Sequence, residues 1–587
     1  MKKIFYNNIM KLGLVVVLLI SSCSDFLTKP PITQFTDENF WLSETNLRAY
    51  MWNFYNRFVG YGSGTSADFY WQAEGGNTEM KFSPDLLAAS FNTFPALAGT
   101  SVNNWNSYYT AIRRANLVLL RANSMDITNE AKDHYSGVAK FFRAYSYFNL
   151  LSAWGGVPLV LEYADPSDLD KVYLPREDRK VIADQIIKDL KEAAQVVRVT
   201  DGKDAVIRDV VYAMLARVAL FEGTFRKYHN LGDYTSYLNE AADAAKYLID
   251  GGKYSIPATG SYKAKYNSEA LAGNTEVIFY KRYEKDVSGM GSSIQSHTHS
   301  SAPLVHGLTK WAVESYLTTN GLPITQVGGN TLYLGDHGIA NVRANRDKRL
   351  LDVMYEHVAY EGVTYPGYSF ASTTGYCTAI WDNPLVAKDE MYVMTETRNH
   401  IDAPLFTIAE IYLIYAEAKA ELGTLSQADL DISVNKMRPR AGLPNLTLVG
   451  TDGVSVGGVT INDPKRTAAL ESITKGGIVS PIIWEIRRER TVELLGWVQL
   501  RHWDMDRWAK GEYMDSNLNP DVVLGAWLDI TTVPTGVTVD LNTNGYIIKF
   551  PQYSRTFADK YYLDGIPTNE IGLYINKGLT FPQNPGW

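Results

Sequence analysis

Three glutamates in one arginine-rich segment have a spacing that acid–base chemistry can use. Glu485, Glu489 and Glu493 lie at i, i+4 and i+8, so in a helix their carboxyl groups would share one face. A glycosidase needs a carboxylic acid with a raised pKa facing a second carboxylate across the scissile bond. Five arginines crowd the same segment: Arg487, Arg488, Arg490, Arg501 and Arg507. Because cations lower the pKa of nearby carboxylates, the pattern predicts an ion-pair network and no catalytic residue.

Two other groups of residues have part of a metal-binding pattern. His297, His299 and His306 offer three imidazoles, but their Ser-rich surroundings lack a carboxylate or cysteine at a matching offset. Residues 540–545 read DLNTNG, like the start of an EF-hand loop, but Pro551 replaces the bidentate glutamate at the twelfth position. Alternating residues at 537–550 around Asn-Gly predict a β-hairpin with a type I′ turn instead. We therefore expect no metal site and no cofactor.

The N-terminus has the pattern of a bacterial lipoprotein signal. Lysines at positions 2, 3 and 11 precede an apolar run of about nine residues, which is too short against the roughly 20 needed to span a bilayer. Ser21 and Ser22 stand directly before Cys23, as small residues do before the lipidated cysteine of a lipobox. The pattern predicts that residues 1–22 are a cleaved signal peptide and that Cys23 is the lipidated first residue of a membrane-tethered chain.

Aromatic residues with polar neighbours occur in several stretches that we predict to be loops. A sugar presents a flat C–H face and a rim of hydroxyl groups, so glycan sites combine exposed aromatic rings with hydrogen-bonding side chains. Trp311 is a weaker candidate, because it also fits a short packed helix that includes Ser315 and Leu317. Loop aromatics also pack against their own scaffold, and this second interpretation stays open for every candidate. The candidate ligand-binding residues are Tyr70, Trp71, Asn77, Tyr283, Trp311, Tyr376, Trp381 and Asp382.

Helices paired with helices must position these loops. Apolar and aromatic residues at spacings of three and four predict helices at residues 43–59, 104–122, 131–154, 181–197 and 206–222. Two further pairs resemble tetratricopeptide units: residues 212–222 with 238–248, and 411–423 with 428–437. The fold class is therefore mainly α, an α-solenoid scaffold of tetratricopeptide-like helix pairs with a large loop-rich, partly β-hairpin ligand-binding region.

Domain organisation follows from this division between helices and loops. We expect a single domain over residues 23–587, with the helical scaffold mainly at 36–250 and 405–510. The Gly-, Tyr- and Ser-rich stretch 251–404 is predicted to be a loop-rich insert with short strands.

The formal net charge of −8 argues against a nucleic-acid partner, whose phosphates require Lys and Arg. With only Cys23 and Cys377 present, no disulfide framework is expected.

Several segments, in order along the chain, resemble the SusD/RagB lipoproteins of Bacteroidetes-type bacteria. The segments are CSDFL, WNSYYTAIRRANLVL, AKFFRAYSYFNLLSAWGGVPLV, NRDKRL, IAEIYLIYAEAKAELG, NKMRPRAGLP, RRERTVELLGWVQLRHWDMDRW and the terminal FPQNPGW. Each is weak alone, but together they run from residue 23 to residue 587. One departure is that the run from Glu493 to Arg501 is one residue longer than the family's and lacks its Glu-Gly, which places the local helix geometry in question.

The resemblance implies a non-enzymatic lipoprotein exposed at the surface of the outer membrane. Such proteins act as a lid on a TonB-dependent barrel of the SusC type and capture nutrient glycans. In RagB-like members the captured nutrient is a peptide, and the sequence leaves that alternative open because aromatic loops also accept peptide side chains. The expected partners are therefore a SusC-like outer-membrane barrel, a glycan ligand and, through the N-terminal lipid, the membrane.

Overall fold

Long helices form the N-terminal half of the protein, and shorter helices alternate with small sheets in the rest. The computed structural model describes residues 40–58, 60–61, 83–88, 90–165, 167–202, 204–285, 287, 289–292, 294, 306–360, 371–383, 385, 399–495 and 497–587. The first helices are α1 Glu44–Tyr55, α2 Asn103–Ala122, α3 Asn129–Trp154, α4 Leu169–Val172, α5 Arg179–Val196, α6 Arg208–Tyr228 and α7 Thr235–Asp250. The later helices are α8 Lys310–Ser315, α9 Ile339–Arg343, α10 Lys348–Val353, α11 Ile408–Glu421, α12 Gln427–Asp431, α13 Arg438–Ala441, α14 Ala469–Ile473, α15 Pro481–Glu493, α16 Val498–Arg507 and α17 Thr568–Ile575.

The five helices predicted from periodicity are all present. The largest difference is at the end of α6, which continues to Tyr228 instead of stopping at Glu222. Helix α3 shows how local sequence sets both ends. The Thr128 hydroxyl accepts a hydrogen bond from the Ala131 amide at 3.2 Å, and Gly155 ends the helix with φ of +75°.

Consecutive helices pack side by side as pairs. Helix α3 packs against α2 and α5, and α6 packs against α5 and α7. Gly223 of α6 lies so close to α7 that a Cβ there would come within 2.8 Å of a Leu238 methyl group. The main hydrophobic core runs through these helices and continues into α11 and α15. This arrangement confirms a mainly α scaffold of helix pairs.

Only one of the two predicted tetratricopeptide-like units has two complete helices. Helices α6 and α7 form the first unit as predicted. In the second, α11 is followed by the short helix α12, a 3-10 turn at Val434–Lys436 and the four-residue α13, so the prediction of one helix over 428–437 is wrong. Helix α12 ends at Asp431, and Ser433 then has ψ of −104°, which is far from helical geometry.

The strands belong to three small antiparallel sheets among the described residues. Their bounds are β1 Leu86–Leu87, β2 Val277–Lys281, β3 Gly307–Leu308, β4 Met354–Val358, β5 Tyr376–Thr378, β6 Ala403–Thr407, β7 Thr447–Val449, β8 Gly453–Val456 and β9 Val459–Thr460. The sheets have the orders β1-β3-β5-β4, β2-β6 and β7-β8-β9. Five of these strands come from the predicted loop-rich stretch 251–404 or its end, which agrees with the short strands expected there. A second hydrophobic cluster packs around the first of these sheets.

The predicted hairpin at residues 537–550 is present with a different turn. The chain reverses so that Leu541 pairs with Ile547, and the Gly545 amide donates to the Asn542 carbonyl at 3.0 Å. Only Gly545 in this turn has a positive φ, +83°, whereas a type I′ turn needs positive φ at both central residues. The geometry is that of a type I turn followed by a left-handed glycine, so the type I′ prediction is wrong.

No helix in the described ranges combines the length and apolar character that a membrane span requires.

Candidate functional site

A cleft lies where α8, α15 and α16 meet the segment after α16. Its space, including the open solvent at its mouth, is about 480 Å³, and it combines aromatic rings with cationic side chains. Half-buried residues form its rim, and buried residues form its floor. The lining residues are Trp311, Ser315, Trp484, Arg487, Arg488, Thr491, Arg501, Met505, Trp508, Lys510 and Tyr513. We call this the Trp311 cleft.

Helix α8 presents the indole ring of Trp311 at the rim. The Thr309 hydroxyl caps the helix by accepting from the Ala312 amide at 3.1 Å, and the Ser315 hydroxyl donates to the Trp311 carbonyl at 2.9 Å. The Trp311 ring lies 4.9 Å from the ring of Tyr513 at 56°. The Nζ atom of Lys465 lies 5.4 Å from its centre. The indole is thus fixed by both its helix and a neighbouring ring while remaining half-buried.

Two arginines from α15 form the cationic part of the floor. Arg488 contacts Asp463, donates to Glu485 at 3.0 Å, and reaches the Ser315 carbonyl at 3.3 Å. The guanidinium of Arg487 lies 4.6 Å from the Trp508 ring centre, and its Nε is buried with no hydrogen-bond partner in the described part of the chain. Because Arg487 is only 6% exposed, this open donor is a place where a ligand oxygen would gain a hydrogen bond.

Lys510 completes the floor from the segment that follows α16. Its ammonium contacts Glu471 at 2.5 Å, the Thr474 hydroxyl at 2.7 Å and the Gly477 carbonyl at 2.6 Å. Burial lowers the pKa of Lys510, although Glu471 opposes the shift. The Lys510 side chain therefore fixes the loop before α15 against the cleft.

The three glutamates of α15 are ion-paired and buried, as the sequence predicted. Most of their partners come from far along the chain, which the sequence analysis did not anticipate. Glu493 contacts Lys265, Arg349 and Arg440, and Glu489 contacts Arg349 and Arg438. Burial opposes ionisation, but the cations hold the pKa values of Glu489 and Glu493 below their usual range.

Glu485 departs from the predicted direction. Burial raises its pKa, and the nearby Arg488 guanidinium only partly offsets this effect. The expectation that arginines lower all three pKa values is therefore wrong for this residue. Glu485 is 1% exposed and is not among the residues that line the cleft. A substrate in the cleft would meet rings and cations, which suit binding.

The helix breaks after Glu493, where the run from Glu493 to Arg501 is one residue longer than in the SusD/RagB family. Helix α15 ends at Glu493, and α16 begins at Val498 with Trp497 before it. The Trp497 indole donates to the Tyr266 hydroxyl at 3.1 Å. Arg501, in α16, then donates to Asp85 and Asp504, each at 2.8 Å. The break thus lets α16 turn away from α15 while its arginines remain in the ion-pair network.

Three of the predicted ligand-binding aromatics are buried in a common cluster. Tyr283, Tyr376 and Trp381 are 3%, 2% and 1% exposed, and all pack in the second hydrophobic cluster with Tyr61. The rings of Tyr61 and Tyr283 are stacked 6.3 Å apart. Their ring faces are covered by residues distant in sequence, so the expectation of exposed platforms is wrong for these three residues. They form the base of the loop-rich region.

The other predicted residues have different positions. Trp311 lies in the helix that the sequence offered as its alternative, yet it also lines the cleft. Asp382 is half-buried beside Trp381, and its carbonyl accepts a hydrogen bond from the Asn267 amide at 2.5 Å. Tyr70, Trp71, Asn77 and Cys23 lie outside the described residues, as do His297 and His299 of the histidine group.

Four stretches outside the described residues follow, in chain order, members of the second hydrophobic cluster. Residues 62–82, which contain Tyr70, Trp71 and Asn77, follow Tyr61, itself a member of this cluster. Residues 295–305, 361–370 and 386–398 likewise follow segments that contribute Ile294, Tyr360 and Trp381 to it.

Sequence reasoning missed most of the Trp311 cleft. It assigned the arginine-rich segment to structure alone, although Trp484, Arg487 and Arg488 lie on the cleft side of α15. A usable signal was present, because Trp484 and Arg488 are spaced i and i+4 on one helix face. Within the ranges that the structure describes, no group of three His, Cys, Asp or Glu side chains is placed to bind a metal ion.

Comparison with protein families gives two matches. A model described as the SusD family matches residues 275–587. A second, described as "Starch-binding associating with outer membrane", matches residues 22–220. Together the two models cover most of the chain, including all the helices that line the Trp311 cleft.

Individual relatives are distant but cover most of the chain. A SusD-like protein P38 of Formosa agariphila is 25% identical over 526 residues, which are 87% of this chain and 93% of the relative. A SusD-like protein of Bacteroides ovatus is 22% identical over 473 residues, covering 77% of this chain and 79% of the relative.

Solved structures show the same fold. A SusD-like carbohydrate-binding protein from Bacteroides fragilis matches with a TM-score of 0.66 and 19% identity, covering 91% of this chain and 99% of that one. A laminarin-binding SusD-like protein matches with a TM-score of 0.55 and 17% identity, covering 93% and 100% of the two chains.

Proposed function

Because this chain belongs to the SusD family, we propose that it captures oligosaccharide or polysaccharide at the cell surface and delivers it to a SusC-like TonB-dependent barrel. Relatives described as carbohydrate-binding and laminarin-binding support a glycan ligand. The family description of association with the outer membrane supports the location. In this proposal Cys23 carries the lipid that anchors the protein to the membrane surface.

The observation that carries glycan binding is the combination of half-buried indole rings and buried cations in the Trp311 cleft. The rings of Trp311 and Trp484 can take the C–H faces of a sugar, which is the part that water solvates least well. The Arg487 Nε, which has no partner in the described structure, can donate to a sugar oxygen. Single-sugar contacts are weak, so an extended chain that reaches a second ring gains affinity.

Tyr70 and Trp71, with Asn77, are proposed as a further platform, because these aromatics stand beside hydrogen-bonding neighbours in a predicted loop. Asp382, half-buried beside the second hydrophobic cluster, is a proposed polar contact. The paired state of the carboxylates around the Trp311 cleft favours a binding protein over a hydrolase, because a hydrolase requires an acid and a base that face the substrate.

The test is affinity electrophoresis of residues 24–587 through gels that contain plant, mucin or microbial polysaccharides. We expect one polysaccharide to retard the protein. Trp311→Ala or Trp71→Ala should weaken that interaction about tenfold, or about 1.4 kcal/mol, because each removes a stacking surface. Trp52→Ala is the matched control, since Trp52 is 42% exposed on α1 and does not line the Trp311 cleft.

The outcomes distinguish the two platforms and the peptide alternative. Loss of retardation in Trp311→Ala alone identifies the cleft, and loss in Trp71→Ala alone identifies the loop platform, provided that the thermal unfolding of each variant matches that of Trp52→Ala. Absence of retardation by every polysaccharide, together with binding to a peptide mixture, would contradict glycan capture and favour peptide uptake.

Delivery to a barrel has its own test. A permanent partner of this kind needs a large interface, on the order of 2,000 Å² or more. We expect the full-length protein, tagged at its C-terminus, to co-purify from gently solubilised outer membranes with a TonB-dependent barrel. Recovery of the protein without any barrel after chemical cross-linking in intact cells would contradict the proposed partnership.

A further inference from the structure

A second pocket, separate from the Trp311 cleft, lies between the end of α3, helix α16 and the C-terminal segment. Its space, including the open solvent at its mouth, is about 480 Å³. We call it the C-terminal pocket. It shares no lining residue with the Trp311 cleft. Its lining residues are Phe94, Pro95, Ser152, Ala153, His502, Trp503, Asp506, Tyr561, Tyr562, Leu563, Asp564 and Trp587.

The terminal motif FPQNPGW builds one wall of this pocket. The Trp587 indole donates to the carbonyls of Lys560 and Leu563 at 3.0 and 2.9 Å. Asn584 donates to the Asp564 carbonyl at 2.6 Å, and the Asp564 amide donates to Ala153 at the end of α3. These bonds hold Asp564 and the ring of Trp587 against the helices, which gives the motif a structural role that the sequence did not reveal.

The floor of the pocket carries a carboxylate with an unused oxygen. Asp506 is 4% exposed, and its Oδ1 has no hydrogen-bond partner in the described structure. Its Oδ2 lies 3.4 Å from the Nε2 atom of His502. Asp564 lines the same pocket and is close enough to influence Asp506 electrostatically. A buried acceptor left without a donor is costly, so this oxygen marks a place for a donor group from a ligand.

Aromatic rings surround the two carboxylates. Trp503 and Tyr562 lie at the floor and are buried, and Phe94, Tyr561 and Trp587 are half-buried nearer the rim. Two of these rings already hold an ammonium group, because the Nζ of Lys560 lies 4.5 Å from the Trp587 ring centre and 5.1 Å from that of Tyr561. That ammonium donates to the Ala96 carbonyl and makes no contact with Asp506 or Asp564.

We propose that the C-terminal pocket binds an organic ammonium group between Asp506, Asp564 and the surrounding rings. Carboxylates satisfy the charge and the N–H donors of an ammonium ion, while ring faces attract its cationic surface. A metal ion fits less well, because the described residues provide no group of three His, Cys, Asp or Glu ligands. The ammonium could belong to an amino sugar or to a simple alkylamine.

The charged groups around Asp506 determine how binding depends on pH. His502 faces it from the same helix, Asp564 from the C-terminal segment and Arg179 from α5, while His229 of α6 contacts its main-chain oxygen at 2.7 Å. Burial and then Asp564 raise the pKa of Asp506 well above its usual value, and burial raises the pKa of Asp564 to about 6. Both carboxylates lose their protons as pH rises, so ammonium binding should strengthen with pH.

The experiment is isothermal titration calorimetry of the purified full-length protein with n-butylammonium, glucosamine and N-acetylglucosamine. We expect the two charged compounds to bind and N-acetylglucosamine, which lacks the charge, to bind at least tenfold more weakly. For n-butylammonium the affinity should rise between pH 5 and pH 7, by up to about tenfold per pH unit for each proton displaced. Binding of glucosamine alone would assign the site to amino sugars, and equal binding of both would show that the ammonium group suffices.

Single-residue variants test whether a loss of ammonium binding comes from the site or from misfolding. Asp506→Asn and Asp564→Asn should each abolish n-butylammonium binding, and Asp559→Asn, a 74% exposed aspartate in the same segment, should bind like the wild type. At pH 8 Asp564→Asn should also melt at a higher temperature, because it removes a carboxylate whose charged form burial disfavours. A misfolded variant would not show this gain. The proposal is wrong if no amine binds, if N-acetylglucosamine binds as well as glucosamine, or if neither variant reduces binding.

Discussion

At the scale of single residues, the function of a charged or aromatic side chain depends on what covers it. Asp463 illustrates this for charge. It lies at the N-terminus of a 3-10 turn, is 3% exposed, and accepts hydrogen bonds from the Thr325 hydroxyl at 2.6 Å and the Trp484 indole at 3.0 Å. Burial alone would raise its pKa, but Arg488 and these hydrogen bonds lower it to about 2. Asp463 thus holds both Arg488 and Trp484 in place beside the Trp311 cleft.

This arrangement predicts a pH-dependent stability. The folded pKa of Asp463 lies below its unfolded value of about 3.9, so its stabilising contribution is present above pH 4 and is lost as pH falls towards 2. Asp463→Asn should lower the free energy of unfolding at pH 7 by about 2 kcal/mol and reduce the loss of stability between pH 5 and pH 3. Urea unfolding at these pH values measures both effects, with Asp559→Asn as the exposed control. Equal pH dependence in Asp463→Asn and wild type would contradict this account.

Trp381 illustrates the same dependence for aromatic rings. The sequence placed it in a loop beside Asp382, but the structure packs it in the second hydrophobic cluster at 1% exposure. Trp381→Ala should therefore destabilise the fold by about 3–5 kcal/mol, because it leaves a large cavity in a packed core. Chemical denaturation measures this loss, and Trp52→Ala should cost far less. A Trp381→Ala protein with wild-type stability and weakened glycan binding would restore the original interpretation as a platform.

At the scale of secondary-structure elements, close approach of helices fixes the scaffold. Helices α6 and α7 meet at Gly223, where a Cβ would lie 2.8 Å from a Leu238 methyl group and 3.2 Å from the Leu238 backbone nitrogen. The backbone nitrogen cannot move without shifting α7 itself. The small residue at this position therefore sets the distance between the two helices.

Enlarging this residue should separate the pair. We expect Gly223→Val to lower the free energy of unfolding by about 1–3 kcal/mol through overpacking. Gly572→Val is the matched control, because Gly572 also lies in a helix but has open space around its Cα hydrogen. Thermal unfolding monitored by circular dichroism compares the two variants. A Gly223→Val protein no less stable than Gly572→Val would show that the contact between α6 and α7 tolerates a wider spacing.

At the scale of the whole molecule, the helix pairs form one side of the core and the loop-rich region adds a second cluster to it. The ion-pair network of α15 joins these parts, since Glu493 contacts Lys265 before β2, Arg349 in α10 and Arg440 in α13. Helix α16 lines both pockets, with Arg501 and Met505 in the Trp311 cleft and His502, Trp503 and Asp506 in the C-terminal pocket, which links scaffold geometry to both proposed binding sites.

The proposed membrane anchor is also a property of the whole molecule. If Cys23 is lipidated, Cys23→Ala should leave a folded protein that is no longer attached to the outer membrane. Cell fractionation and protease treatment of intact cells measure the change, and Cys377→Ala is the control because Cys377 is buried. Unchanged membrane association and surface accessibility in Cys23→Ala would contradict the lipobox interpretation.

The sequence by itself determined the five helices predicted from periodicity, because their apolar spacing is a local property. The apolar spacing of residues 131–154 was enough to predict α3, and the structure adds the cap at Thr128 and the end at Gly155. It also predicted that the glutamates of α15 are ion-paired, although only Glu485 pairs with an arginine of its own segment, Arg488. The chain order of the family segments likewise gave the family and, with it, the fold.

Only the tertiary structure decided which side chains remain accessible. Tyr283, Tyr376 and Trp381 had the same local pattern as an exposed platform, but all three are buried in the second hydrophobic cluster, where Tyr61 from a distant part of the chain stacks on Tyr283. Two other pairs also join distant segments. Lys265 forms an ion pair with Glu493, and the terminal Trp587 lines the same pocket as Asp506. Exposure and pairing depend on contacts between distant segments, and these contacts exist only once the chain has packed.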